Sequence, residues 1–207
     1  MLNAIACQSL IAVLVAAALA GCDVEGASRA QSPPGVEWRL TRDGVAAVDA
    51  ASGKINAQIA LPGWVWVKDA YACAPVVARG PQGEAVITSN VTSTLWRVDP
   101  RSFQVSVHEL AGVEDRGIEF GFSGLAYSAE QGAFFAVGTV PNSVWRIDPE
   151  LRRAQKISVS EPIQPRCGEA PRVVAHKPSR VVSLCIAGTT LNLAADQRTG
   201  YVNGRPC

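Results

Sequence analysis

The sequence predicts an all-β fold made of about four repeated, four-stranded antiparallel sheets, the first of them incomplete. Three observations predict it. Aspartates recur at Asp49, Asp99, Asp148 and Asp196, at intervals of 50, 49 and 48 residues. The stretch "TLWRVDPRSFQ" (residues 94–104) returns as "SVWRIDPELRR" (143–153), with "GVAAVDAASGK" (44–54) and, after one inserted residue, "TLNLAADQRTG" (190–200) as further copies. Around these copies, apolar and polar residues alternate, and nothing after residue 21 sustains a helical period.

The chain opens with "LIAVLVAAALA" (residues 10–20), eleven uncharged residues. That is the length of a signal-peptide core and too short to cross a bilayer unaided. "LAGC" follows at residues 19–22 and resembles the bacterial lipobox. The resemblance implies that residues 1–21 are a lipoprotein signal peptide and that Cys22 receives the lipid, palmitate among its acyl chains. Several acyl chains at one residue give stable anchoring, since each buried CH₂ contributes about 0.8 kcal/mol. Asp23, next in the chain, resembles the enterobacterial signal for retention in the inner membrane. Residues 22–35 are small and polar with two prolines and read as a flexible tether. Residues 36–207 then form the repeat domain.

Each repeat is legible as turn chemistry. In Asp99-Pro100 and Asp148-Pro149 the aspartate suits the first position of a type I turn, where its carboxylate accepts from amides ahead of it, and the proline has its φ already set. Strand-like runs precede the turns, as in "PVVARGPQGEAVITSN" (75–90), "GLAYSAEQGAFFAVGT" (124–139) and "PRVVAHKPSRVVSLCIAG" (171–188). Alternating segments follow them: "INAQIAL" (55–61), "FQVSVHEL" (103–110) and "AQKISVS" (154–160). The unit is four strands in about 49 residues, the description of a propeller blade. The first copy has room for three strands, so fifteen strands are expected where four complete sheets need sixteen. A ring closed with a deficient first blade is one answer, a strand supplied by "WVWVK" (64–68) a second, and a larger assembly a third.

One sheet cannot bury both faces, so neighbours must supply the core. Trp96 and Trp145 share a position and are expected to wedge between sheets. Arg97 and Arg146 share a strand face with Asp99 and Asp148, which predicts local ion pairs. The segment "VITSNVTSTLWRVDPRSFQVSVHELAG" (86–112) and its echo "FAVGTVPNSVWRIDP" (135–149) resemble the bacterial propellers with YVTN-type or NHL-like repeats. That resemblance implies the fold and almost nothing about activity.

Four cysteines follow Cys22: Cys73, Cys167, Cys185 and Cys207. An even set in an exported chain favours disulfides, with three connectivities open. With 19 basic and 18 acidic residues, the chain offers no electrostatic footprint for nucleic acid. No nucleophile elbow or phosphate loop is present, since "GFSGL" (121–125) has its second glycine out of register. His108 falls on an alternating strand and His176 beside a turn.

Propeller hydrolases of the gluconolactonase and paraoxonase kind hold a cation at the starts of their inner strands. Here that position carries Phe122 or Ser123. The remaining oxygen ligands are Glu114, Asp115 and Glu119 in one loop, with Asp69 in the preceding repeat. The expected function is therefore a lipid-anchored, periplasm-facing envelope module. It has no cofactor, no catalytic residue and no resident metal, and it binds a protein or a small molecule. The competing readings are a metal-dependent hydrolase or lactonase using the Glu114 loop, and a truncated copy of a longer propeller.

Overall fold

The computed structural model describes residues 35–65, 73–110, 121–138, 140, 142–164, 167, 169–176 and 181–207. These residues form fifteen strands and no helix. Strands β1 (Val36–Thr41), β2 (Gly44–Asp49) and β3 (Ile55–Ala60) make a first, three-stranded sheet. A second sheet holds β4 (Val77–Arg79), β5 (Ala85–Thr88), β6 (Thr94–Val98) and β7 (Val105–Glu109) in that order. A third meander runs β8 (Phe122–Ser128), β9 (Ala133–Gly138), β10 (Val144–Ile147) and β11 (Ala154–Val159). A fourth runs β12 (Arg172–His176), β13 (Val181–Ile186), β14 (Thr189–Leu193) and β15 (Thr199–Pro206). All pairings inside the meanders are antiparallel, whereas β11 and β15 meet in parallel at Ser158↔Thr199 and join the last two into one eight-stranded sheet.

The turns that close these meanders use their aspartates alike. Asp49 Oδ1 accepts from Ser52 N–H at 2.7 Å, and Asp99 Oδ1 from Arg101 and Ser102 N–H at 2.9 and 2.7 Å. Asp148 accepts from Arg152 and Arg153 N–H, and Asp196 from Arg198 N–H. Hydrogen bonds to the charged form hold two of these carboxyls below the ordinary value. For Asp49 the Ser52 hydroxyl contributes most, and for Asp99 the Ser102 amide does.

The same turns also connect the sheets, through residues with positive φ: Gly53, Phe103, Leu151 and Gln197. A side chain in this left-handed conformation costs about 1 to 2 kcal/mol, and here it swings the residue onto the preceding sheet. Phe103 meets the Trp38 ring edge-on at 6.4 Å. Leu151 is fully buried between the second and third sheets. Gln197 accepts from Arg146 Nε and donates to Gln131 Oε1, each at 2.8 Å.

The core divides into three clusters, each lying between consecutive sheets. Trp38, Val45, Ile87 and Trp96 fill the first interface. Val86, Phe122, Phe134 and Trp145 fill the second, and Phe135, Val137, Leu184 and Leu191 the third. Because side chains alternate across a strand, one strand feeds two cores: Phe134 points back and Phe135 forward. Each indole N–H in these cores has a partner, as burial demands. Trp96 donates to Pro62 O at 2.8 Å, Trp145 to Ser143 Oγ at 2.7 Å, and Trp38 to Gly83 O at 2.8 Å across the first interface.

The arginines depart from expectation. Neither Arg97 nor Arg146 pairs with the aspartate two residues on. Arg97 donates to the Pro149 carbonyl in the next sheet's turn and lies 3.9 Å from the buried Glu84 carboxylate, while Arg146 reaches Gln197. The reason is geometric. The aspartate turns its oxygens onto amides of its own turn, and the long guanidinium extends across the interface instead.

The sides of the first and last sheets turned away from the three cores carry polar groups beside buried apolar ones. Val98 faces Ala85 and Trp96 faces Ile87 in the second sheet, whereas the matching pairs in the first are Val48 with Glu37 and Ala46 with Arg39. Glu37 and Arg39 form an exposed ion pair at 2.9 Å, which lowers the carboxyl's pKa and raises the guanidinium's. On the last sheet, Ser183 donates to Asn192 Oδ1 and Arg172 to Cys207 O.

Candidate functional site

The inner strands of the second, third and fourth sheets begin at one end of the array, and a disulfide spans that end. Cys73, just ahead of β4, is bonded to Cys167, just ahead of β12, across 94 positions of sequence. The second and fourth sheets are thus clamped over β8, the inner strand between them. A second disulfide joins Cys185 of β13 to Cys207. Of the three pairings open in the sequence, the structure takes this one.

Beneath the clamp the backbones pack too closely for side chains. A Cβ on Gly121 would lie 2.1 Å from the Asn90 carbonyl, and one on Gly124 would lie 2.3 Å from the Glu169 carbonyl oxygen. Polar groups stitch the sheets together here. Phe122 N–H donates to Ser89 O at 2.9 Å, Thr88 Oγ1 donates to Phe122 O, and Asn90 Nδ2 donates to Cys73 O at 2.9 Å. At the position where a propeller hydrolase holds its cation, Phe122 is fully buried. Ser123, also buried, turns its hydroxyl onto Gly138 O at 3.1 Å. Glu114, Asp115, Glu119 and Asp69 lie outside the described residues, as do Cys22 and Asp23. Among the described residues no three His, Cys, Asp or Glu side chains are grouped to hold a metal.

His108 lies on β7 at the seam between the second and third sheets, 2.9 Å from Ser106 Oγ. Its pKa is pushed down, first by burial and then by the Arg97 charge, with Asp148 opposing. It is built into an interface and faces neither cleft described below. His176 ends β12.

Two clefts are lined by described residues. One, of about 510 Å³, separates β1 from β4 and is lined by Val36, Glu37, Trp38, Val77, Ala78 and Arg79 among others. The other, of about 220 Å³, lies between the loop after β3 and the second sheet, where Val65 and Val107 stand exposed beside Thr92, Thr94 and Glu109. Neither was legible from motifs, because each depends on which sheet lies next to which.

No protein-family model matches the sequence, and no curated protein does. Solved structures resemble the fold. Selenomethionine-substituted virginiamycin B lyase from Staphylococcus aureus matches with a TM-score of 0.53 at 15% identity, over 86% of this chain and 54% of that one. The major Malassezia sympodialis allergen Mala s 1 follows at 0.44 and 14%, over 63% of this chain and 42% of that one. The dihydro-heme d1 dehydrogenase NirN in complex with DHE follows at 0.45 and 13%, over 80% and 33%. The lyase is β-propeller-like, and the likeness to it is one of fold. The chain spans about half the length of that lyase.

Proposed function

We propose that the chain is an exported, lipid-anchored envelope module that binds a partner without transforming it. The observation that carries this reading is the Cys73–Cys167 disulfide. Such bonds persist in oxidising compartments, and this one spans the end of the array where a propeller hydrolase keeps its ligand. The two disulfides use four of the five cysteines from residue 22 onward, and the fifth is Cys22 at the lipobox position. The domain then faces the periplasm, and Asp23 favours the inner membrane.

The test is metabolic labelling with an alkyne analogue of palmitate in a bacterial host, followed by fractionation. The wild-type chain is expected to carry label and sediment with membranes, and Cys22→Ser to lose both. Label retained by Cys22→Ser would end the anchoring reading. A hydrolase or lactonase using Glu114, Asp115 and Glu119 is the second reading, and it draws on the likeness of fold to an enzyme. Calorimetry with calcium separates the two: saturable binding abolished by Glu114→Gln with Asp115→Asn supports the hydrolase, and absence of heat removes it.

A further inference from the structure

In the second, third and fourth sheets an innermost strand flanks the rest: β4 on β5, β8 on β9, β12 on β13. The first sheet starts one strand later. Glu37 lies across from Val48 as Ala85 lies across from Val98, each pair one residue ahead of the turn aspartate, so β1 occupies the place of β5. Its inner side is therefore a sheet edge among the described residues, and alternate N–H and C=O groups of such an edge point outward. The 510 Å³ cleft lies between β1 and β4, at that inner edge.

We propose that this cleft receives an extended segment of a partner polypeptide, which adds antiparallel to β1 as its innermost strand and carries an acidic residue. The sister sheets show the geometry of such an occupant. β4 does this with three paired residues, Val77↔Ile87, Ala78↔Val86 and Arg79↔Ala85. Val36 and Val77, both half-buried, present apolar surface to small side chains. At the rim Glu37 is already paired with Arg39, whereas Arg79 is exposed and has no carboxylate within ion-pair distance among the described residues. Among the described residues that line the cleft, Arg79 is the charge left without an opposite partner, which favours an acidic occupant. Main-chain bonds supply affinity and the charge supplies orientation.

This inference deepens the binding reading above. Its test involves neither Cys22 nor a membrane, so its failure leaves the anchoring experiment standing. The probes are fluorescein-labelled Thr-Val-Glu-Val-Thr-Val-Glu-Val amide and its counterpart with Lys for Glu, titrated into the whole chain by anisotropy. Hydrogen exchange is followed at residues 36–41. The acidic peptide is expected to bind saturably and slow exchange in β1. Arg79→Glu, with an unchanged melting temperature, is expected to weaken it about tenfold and shift preference to the Lys peptide. Absence of saturable binding, or binding indifferent to Arg79→Glu, overturns the proposal. Binding that arises only after residues 1–34 are removed also overturns it, since the cleft then belongs to the chain's own N-terminal segment.

Discussion

Removing the Cys73–Cys167 bond by Cys73→Ala with Cys167→Ala tests whether the array is held by sheet packing alone or needs its clamp. The bond closes a loop of 94 positions, against 22 for Cys185–Cys207. In the chain-entropy account, closing a loop removes freedom from the unfolded chain by an amount that grows with the logarithm of its length. That gives about 4.7 kcal/mol for the first bond and about 3.4 kcal/mol for the second at 25 °C. For a fold of this size each kcal/mol moves the melting temperature by about 2 to 4 °C, so the first double substitution should lower it by about 9 to 19 °C. Cys73 is itself buried, and its truncation adds to the loss. The assay is thermal and urea unfolding by circular dichroism of wild type, both double variants and the quadruple variant. The reasoning is refuted if loss of the 22-position bond costs more than loss of the 94-position bond. It is refuted equally if a non-reducing digest shows Cys73 joined to any cysteine but Cys167.

Three further outcomes are expected. A double-mutant cycle in urea should show coupling of about 1 kcal/mol or more between Arg97 and Glu84, whose carboxylate is buried, and none between Arg97 and Asp99; the reverse pattern would restore the local ion pair. Gly121→Ala should cost about 2 kcal/mol or more, because its Cβ would meet Asn90 backbone that cannot turn aside, and an unchanged urea midpoint would contradict the close approach. Acid should destabilise the fold in two windows. His108 has a folded pKa below the ordinary histidine value of about 6.5, so the unfolded chain binds more protons and stability falls as pH drops from about 6.5 towards the folded value; His108→Asn should remove that fall. Asp99 has a folded pKa below 3.8, so its contribution is present above that value and is lost as pH falls through the folded pKa; urea midpoints of Asp99→Asn should be flatter in that range.

The turns and strands were readable because their causes are local. Asp99 collects amides within three residues, proline sets its own φ, and alternation reports which face of a strand is buried. The short first sheet was readable too, from the distance between residue 36 and Asp49. The positive φ of Phe103 and Leu151 was not, since glycine is the usual signal for that conformation and here interface burial stabilises it. The ion pairs expected at Arg97 and Arg146 failed for a related reason. Strand periodicity tells which face a side chain leaves from, but it is silent on what the neighbouring sheet offers.

The sequence by itself determined an all-β chain of repeated meanders, its turn aspartates, its interface tryptophans and an even set of cysteines that pair as disulfides. Each of these follows from interactions within a few residues or from composition. Only the tertiary structure decided that Cys73 joins Cys167 over the third inner strand, that Arg97 crosses to Pro149, and that β1 presents an inner edge to a cleft beside Arg79. Those contacts join residues from about 40 to 94 positions apart. Such distances carry no local signal, because what brings the groups together is the stacking of sheets that must hide their apolar faces against one another.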